Sequence, residues 1–127
     1  MQKILVIDDD PGILRMIEFM LDGSGYQCLS FGAAKEGLAS LDHMAVNLII
    51  TDIIMPEMEG IELILNARAT FPNLPIIAIS GGGRTNQMDV LHLAQQLGAA
   101  AVLPKPFTRA DLLKTVEQVI GPPEPTQ

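Results

Sequence analysis

Four short apolar runs in this chain each end at polar residues that are able to bind metal or phosphate. Short apolar runs closed by turn residues are typical of buried parallel strands, and open α/β sheets bind ligands at the carboxyl ends of such strands. We therefore expect these polar groups to meet at one edge of a sheet and to support metal-assisted phosphate chemistry. In chain order the groups belong to Asp8–Asp10, Asp52, Ser80 and Lys105.

The residue types at these positions suggest specific roles. Carboxylates from Asp8, Asp9 and Asp52 would repel one another at close range, and a divalent cation relieves that repulsion. A small set of oxygen ligands with room for water favours Mg²⁺ over Zn²⁺. Lys105 supplies a compact positive charge for a phosphoryl oxygen, and Ser80 supplies a hydroxyl donor. Asp52 is then the predicted nucleophile, which would form an acyl phosphate.

Glycines follow Ser80 directly, and their backbone N–H groups are open to phosphate. We expect Gly81 to contact the phosphoryl group in this way. The triple glycine fits neither the G-x-G-x-x-G nor the G-x-x-x-x-G-K-[ST] nucleotide motif. His43 and His92 lack metal-ligand spacing, and we interpret both as structural residues.

Strand-like runs alternate with helical patterns along the chain, which is typical of repeated βα units. Asp10 is the predicted N-cap of the first helix, and Pro11 occupies its first position. Right-handed crossovers leave few topologies, and the flavodoxin-like strand order 2-1-3-4-5 places strands one and three side by side. The predicted fold is therefore an α/β fold with a doubly wound parallel (βα)5 sheet. This order brings Asp8, Asp9 and Asp52 together.

The bulk composition is that of one globular domain of 127 residues with 48% hydrophobic residues. We expect the domain to span residues 1–121, and residues 122–127 to be a proline-rich tail or the start of a linker. The formal net charge of -7 argues against binding of nucleic acid. Cys28 is the only cysteine, and we interpret it as a small apolar strand residue in a reducing compartment. Because neither a signal peptide nor a membrane-spanning run is apparent, we expect a cytoplasmic protein without membrane contacts.

With these motifs in order, the chain resembles the CheY-like receiver domain of a two-component response regulator. The resemblance runs from about Lys3 to Ile120. It is carried by residues 4–11, 51–56, 80 and 105–107.

The resemblance implies how the acidic residues are used. Asp52 would accept a phosphoryl group from the phosphohistidine of a histidine kinase or a phosphotransfer protein. Asp9 and Asp52 would hold Mg²⁺ directly, together with the backbone carbonyl of Ile54, and Asp8 would act through water. Ser80 would be the switch hydroxyl, and Lys105 would pair with the phosphoryl group.

The resemblance also implies a cis Lys105–Pro106 bond that aims the lysine inward. Val102 stands where the family has a switch aromatic residue, so we do not expect coupling through a swinging ring. Ala100 and Ala101 replace an acidic pair that many members carry, so we expect a monomer or a weak dimer. Ile54 cannot orient an attacking water molecule through its side chain, and a long-lived phosphoryl state is therefore predicted.

Three functions are compatible with the sequence. The first is a phosphorylation switch that alters binding of an unknown downstream protein through the face formed by the fourth helix, fifth strand and fifth helix. The second is a phosphate-independent interaction module, which Val102 favours. The third is a phosphatase, but no acid stands two residues after Asp52 to protonate a foreign leaving group. We therefore expect catalysis only of the protein's own phosphorylation and slow autodephosphorylation.

Overall fold

The computed structural model describes residues 1–53, 60–80 and 87–123, without the side chains of residues 80 and 87–91. Within these residues five strands alternate with five helices, as the sequence predicts. The strands are β1 (Lys3–Ile7), β2 (Gln27–Phe31), β3 (Leu48–Asp52), β4 (Ile76–Ser80) and β5 (Ala101–Pro104). The helices are α1 (Pro11–Leu21), α2 (Ala34–Ser40), α3 (Gly60–Thr70), α4 (Gln87–Gln96) and α5 (Arg109–Ile120). No helix in the described part is long and apolar enough to cross a membrane.

All strands are parallel, and their order is β2-β1-β3-β4-β5, which confirms the predicted topology. Ile7 lies opposite Thr51, so the residues that come next, Asp8 and Asp52, are neighbours at the carboxyl edge. Ser80 pairs with the last residue of β5, and Lys105 follows at the same edge. The register of the sheet thus collects the polar residues of four strands at one edge.

The core has two layers, one on each face of the sheet, because successive strand residues point to opposite faces. Leu5 and Ile49 pack on one face with buried residues of α2 and α3. Val6 and Ile50 pack on the other face with buried residues of α1 and α5. Burial on both faces explains why the strands read as continuous apolar runs rather than as alternating patterns.

Side chains fix the beginnings of two helices that flank the carboxyl edge. Asp10 accepts a hydrogen bond from the N–H of Gly12 at 2.8 Å, which confirms its predicted role as the N-cap of α1. At α5, the hydroxyl of Thr108 accepts from the N–H of Asp111, while the Asp111 carboxylate accepts from the N–H of Thr108. This capping box satisfies donors that the first turn leaves open.

Gly60, the first residue of α3, packs directly on the backbone at the end of β3. A Cβ at this position would lie 2.1 Å from the Asp52 carbonyl oxygen and 2.5 Å from the Ile53 Cα. Both are backbone atoms, so the clash could be relieved only by moving the strand end or the helix. A glycine is therefore required for α3 to approach Asp52 this closely.

We predict that Gly60→Ala lowers the free energy of unfolding by about 1–3 kcal/mol or more, because overpacking against backbone cannot be relieved by a rotamer change. Urea denaturation measures the loss. Gly32→Ala is the matched control, since its Cβ would meet nothing within 4 Å. Its stability should stay within about 0.5 kcal/mol of wild type. Equal stabilities of the two variants would contradict the packing argument.

Candidate functional site

Three carboxylates form a compact cluster at the carboxyl edge of the sheet. Asp8 and Asp9 follow β1, Asp52 ends β3, and one oxygen of each lies within 4.8 Å of the others. Asp8 and Asp52 are buried, whereas Asp9 is exposed. The cluster therefore has two carboxylates inside the protein and one at the surface. Sequence reasoning predicted all three members.

Lys105 brings a positive charge into this cluster. Its Nζ donates a hydrogen bond to Asp52 Oδ2 at 3.0 Å and lies 3.8 Å from Asp8 Oδ2. Partial burial acts to lower the pKa of Lys105, but the hydrogen bond and charge of Asp52, with the charges of Asp8 and Asp10, raise it above its ordinary value. The side chain is thus a permanent ammonium. The Lys105–Pro106 bond is cis, as the resemblance implied.

Asp8 is the fully buried carboxylate of the cluster. Burial raises its pKa to about 6, although the hydrogen bond from the Asp10 N–H and the charge of Lys105 act in the opposite direction. Asp8 Oδ1 accepts that N–H at 2.9 Å, but Oδ2 is buried and has no hydrogen-bond partner among the described residues. A buried carboxylate oxygen that accepts no hydrogen bond lowers the free energy of unfolding. A divalent cation would relieve that cost, so the oxygen-only donor set fits a hard metal ion.

Two further residues, which the sequence interpretation omits, support Asp52 from behind. The buried hydroxyl of Thr51 donates to the Asp52 carbonyl oxygen at 3.1 Å. Gly60 contacts the same carbonyl group from α3. The only signal for Gly60 is a glycine at the start of a helix shortly after the strand-end aspartate.

Other predicted site residues are only partly described. The backbone of Ser80 ends β4 at the carboxyl edge, but its side chain lies outside the described residues. Ile54 and Gly81 also lie outside them, so the predicted carbonyl ligand and the backbone phosphoryl contact stay predictions. Val102 is half-buried on β5 and packs against the core layer that contains Ala94 of α4.

Two clefts differ in their position and lining. One of about 750 Å³ is lined by residues 41–47 and 70–75, at the amino ends of β3 and β4, far from the carboxylates. The other, of about 420 Å³, lies between β5 and α5 and includes Val102, Pro104, Lys114 and Gln118. We call the second one the β5–α5 cleft. Its lining residues Pro104 and Pro106 flank Lys105 in the chain, whereas the cleft at the amino ends of β3 and β4 is lined by none of the clustered residues.

Comparison with known proteins identifies the family of this chain. The family model described as "Response regulator receiver domain" matches residues 4–117. Among curated proteins, the DNA-binding transcriptional regulator NtrC of Salmonella typhimurium is 33% identical over 118 residues, which are 93% of this chain and 24% of that protein. FixJ of Bradyrhizobium diazoefficiens is 32% identical over 122 residues, 96% of this chain and 58% of that protein. The chain thus spans about a quarter of the first relative and somewhat over half of the second.

Solved structures give the same result for the fold. A response regulator receiver domain protein from Clostridium thermocellum superposes with a TM-score of 0.85 at 32% identity and covers 94% of each chain. The chemotaxis protein CheY4 of Vibrio cholerae gives a TM-score of 0.82 at 29% identity, covering 94% of this chain and 98% of that one. The similarity therefore extends over nearly all of this chain.

We predict that Asp8→Asn is more stable than the wild-type protein in the absence of metal, and that this difference grows as the pH rises from about 4 to 6. The pKa of Asp8 is raised to about 6 in the folded state, so the folded protein binds the Asp8 proton more tightly than the unfolded chain does. The wild-type protein loses this stabilisation as the pH rises through that value. Asparagine keeps an acceptor for the Asp10 N–H and has no charge to bury. The gain over wild type at pH 7.5 should reach up to about 3 kcal/mol.

Urea denaturation in EDTA across this pH range measures the difference. Asp10→Asn is the control, since asparagine is also a good N-cap, and it should keep the wild-type pH profile. Parallel profiles for Asp8→Asn and wild type would refute the assignment of the pH dependence to Asp8.

Proposed function

Because this chain belongs to the family of response regulator receiver domains, we propose that it is a phosphorylation switch whose acceptor is Asp52. The donor would be the phosphohistidine of a histidine kinase or a phosphotransfer protein. The observation that carries this proposal is the contact of Lys105 Nζ with Asp52 Oδ2 at 3.0 Å inside the three-carboxylate cluster. Family membership supports two-component signalling, and the contact supports Asp52 as the reacting residue.

The proposed transfer is a simple displacement. A carboxylate oxygen of Asp52 attacks phosphorus, the bond from phosphorus to the histidine nitrogen breaks, and the leaving imidazole keeps or takes up a proton. Lys105 neutralises negative charge on the transferring group and holds the acceptor in place. Phosphoryl transfer needs mainly positioning and charge neutralisation, and Lys105 with a bound cation would supply the neutralisation.

The metal would be held by the same acidic residues. Asp9 and Asp52 are the proposed direct ligands with the carbonyl of Ile54, and Asp8 would act through water. When bound, Mg²⁺ supplies further neutralisation of phosphoryl charge. The Oδ2 atom of Asp8 supports a cation in this cluster, because it is buried, accepts no hydrogen bond among the described residues and lies 3.8 Å from the ammonium of Lys105.

The output is proposed to be a change in protein binding at the α4-β5-α5 face, which includes the β5–α5 cleft. Ser80 would contact the phosphoryl group through its hydroxyl, and Gly81 through its N–H. Phosphorylation biases a pre-existing two-state element, here proposed to be the β4–α4 region, rather than creating a new one. Val102 has no ring to swing, so the coupling would pass through Ser80 and the backbone.

A second candidate, a phosphate-independent binding module, is favoured by Val102 alone. A valine packed against the core layer of α4 is compatible with an α4-β5-α5 face that does not respond to Asp52. The complete acidic cluster and its contact with Lys105 speak against this candidate, since a module that had lost switching would have no use for them.

We predict that incubation with Mg²⁺ and acetyl phosphate adds one phosphoryl group to the intact protein. Intact-mass spectrometry should find the adduct in wild type and not in Asp52→Asn or in EDTA. The adduct should persist for minutes, since Ile54 offers no side-chain hydrogen bond to an attacking water. If rapid sampling finds no adduct, the binding module becomes the better proposal; if the adduct decays within seconds, only the argument from Ile54 fails.

We also predict that Asp9→Asn weakens Mg²⁺ binding by about tenfold or more, because removing a ligand costs at least as much as removing a second-shell partner. Isothermal titration calorimetry at pH 7.5 measures the affinity. Asp10→Asn is the matched control, since its side chain caps α1 and is not part of the cluster. Equal affinities of the two variants would remove Asp9 from the metal site.

A further inference from the structure

The C-terminal end of α5 is held by side chains from the opposite end of the chain. The last carbonyl groups of a helix have no partners within it. Here the Ile120 carbonyl accepts a hydrogen bond from Gln2 Nε2 at 3.0 Å, and the Gly121 carbonyl accepts one from the Tyr26 hydroxyl at 2.7 Å. Gln2 precedes β1, and Tyr26 precedes β2 and is itself buried. Two residues far away in the sequence thus cap this helix end.

Pro123 is in close contact with the turn between α1 and β2. A Cβ on Gly25 would lie 2.6 Å from the Pro123 Cβ, so the proline ring packs on the bare backbone of this glycine. Gly25 has a φ of 95° and Gly121 a φ of 84°, a conformation that favours glycine at both positions. The two glycines let the chain after α5 turn and lie flat on the residues before β2.

This contact lies on the side of α5 that faces α1. Pro123 lines a cleft of about 840 Å³ together with Leu21 of α1 and Gly23–Cys28. The β5–α5 cleft shares no lining residue with it. The segment after α5 is therefore docked away from the surface through which we propose that the partner binds.

We infer that Gly121–Pro123 form a strap that fixes the end of α5 to the α1–β2 turn, at a distance from the β5–α5 cleft. Residues 121–123 line none of the β5–α5 cleft. This inference goes beyond the proposed function and is independent of phosphorylation of Asp52. Its failure and the failure of the switch are therefore separate results.

The contact between Gly25 and Pro123 is tested by two matched glycine substitutions. Gly23 and Gly25 both have left-handed φ values, so alanine strains the backbone in the same way at each. Only the new Cβ at position 25 meets Pro123, since nothing lies within 4 Å at position 23. The unfolding equilibrium constant of Gly25→Ala should exceed that of Gly23→Ala by about tenfold or more. In a Pro123→Gly background this difference should largely disappear.

Tyr26 provides a direct optical report, since it is the only tyrosine and the chain has no tryptophan. Acrylamide quenching of its fluorescence in the folded protein should increase at least about twofold in Pro123→Gly, because release of the strap opens the hydroxyl to solvent. It should stay at the wild-type level in Gly23→Ala. Equal unfolding constants for the two alanine variants, or unchanged quenching in Pro123→Gly, would overturn the strap.

Discussion

The site depends on two buried carboxylates that share a single nearby ammonium among the described residues. Asp8 and Asp52 lie close enough that their mutual repulsion is about 3–4 kcal/mol at an effective dielectric constant of 20. Lys105 forms its short hydrogen bond with Asp52 and remains 3.8 Å from Asp8. Burial raises the pKa of Asp8, and the charges of Asp52 and Asp9 add to this rise, whereas the distant ammonium of Lys105 only partly opposes it. A proton or a metal cation must balance the remaining negative charge of the carboxylates, so this edge of the sheet favours binding of a cation.

The sheet produces this arrangement through register and close packing. Parallel pairing of β1 with β3 places Asp8 beside Asp52 without any loop of special shape. Pairing of β4 with β5 brings Lys105 to the same edge. Gly60 then allows the start of α3 to pack against the backbone of Asp52 and Ile53 at the end of β3. Asp52 is thus held by main-chain geometry, and its side chain lies among Asp8, Asp9 and Lys105.

Sequence reasoning reached the strand order and the four clustered residues because each depends on local signals. An apolar run followed by an aspartate indicates where a strand ends, and right-handed crossovers leave few possible strand orders. The close approach of Gly60 could not be predicted in this way, because it depends on how near a helix comes to a strand. The hydrogen bond from Tyr26 to Gly121 joins residues 95 positions apart, and no pattern in the sequence links them. The proline-rich composition after α5 predicted only that the helix stops there.

The two ends of α5 are held by different kinds of contact, and this limits how a signal from Asp52 can spread. At the amino end the helix follows Lys105, whose ammonium contacts Asp52, and it begins at the capping box of Thr108. At the carboxyl end it is tied to Gln2 and Tyr26, and its buried residues pack against α1. A phosphoryl group on Asp52 would change the partner of Lys105 but would leave the far end of the helix in place. In the proposed switch, α5 therefore serves as the fixed side of the α4-β5-α5 face.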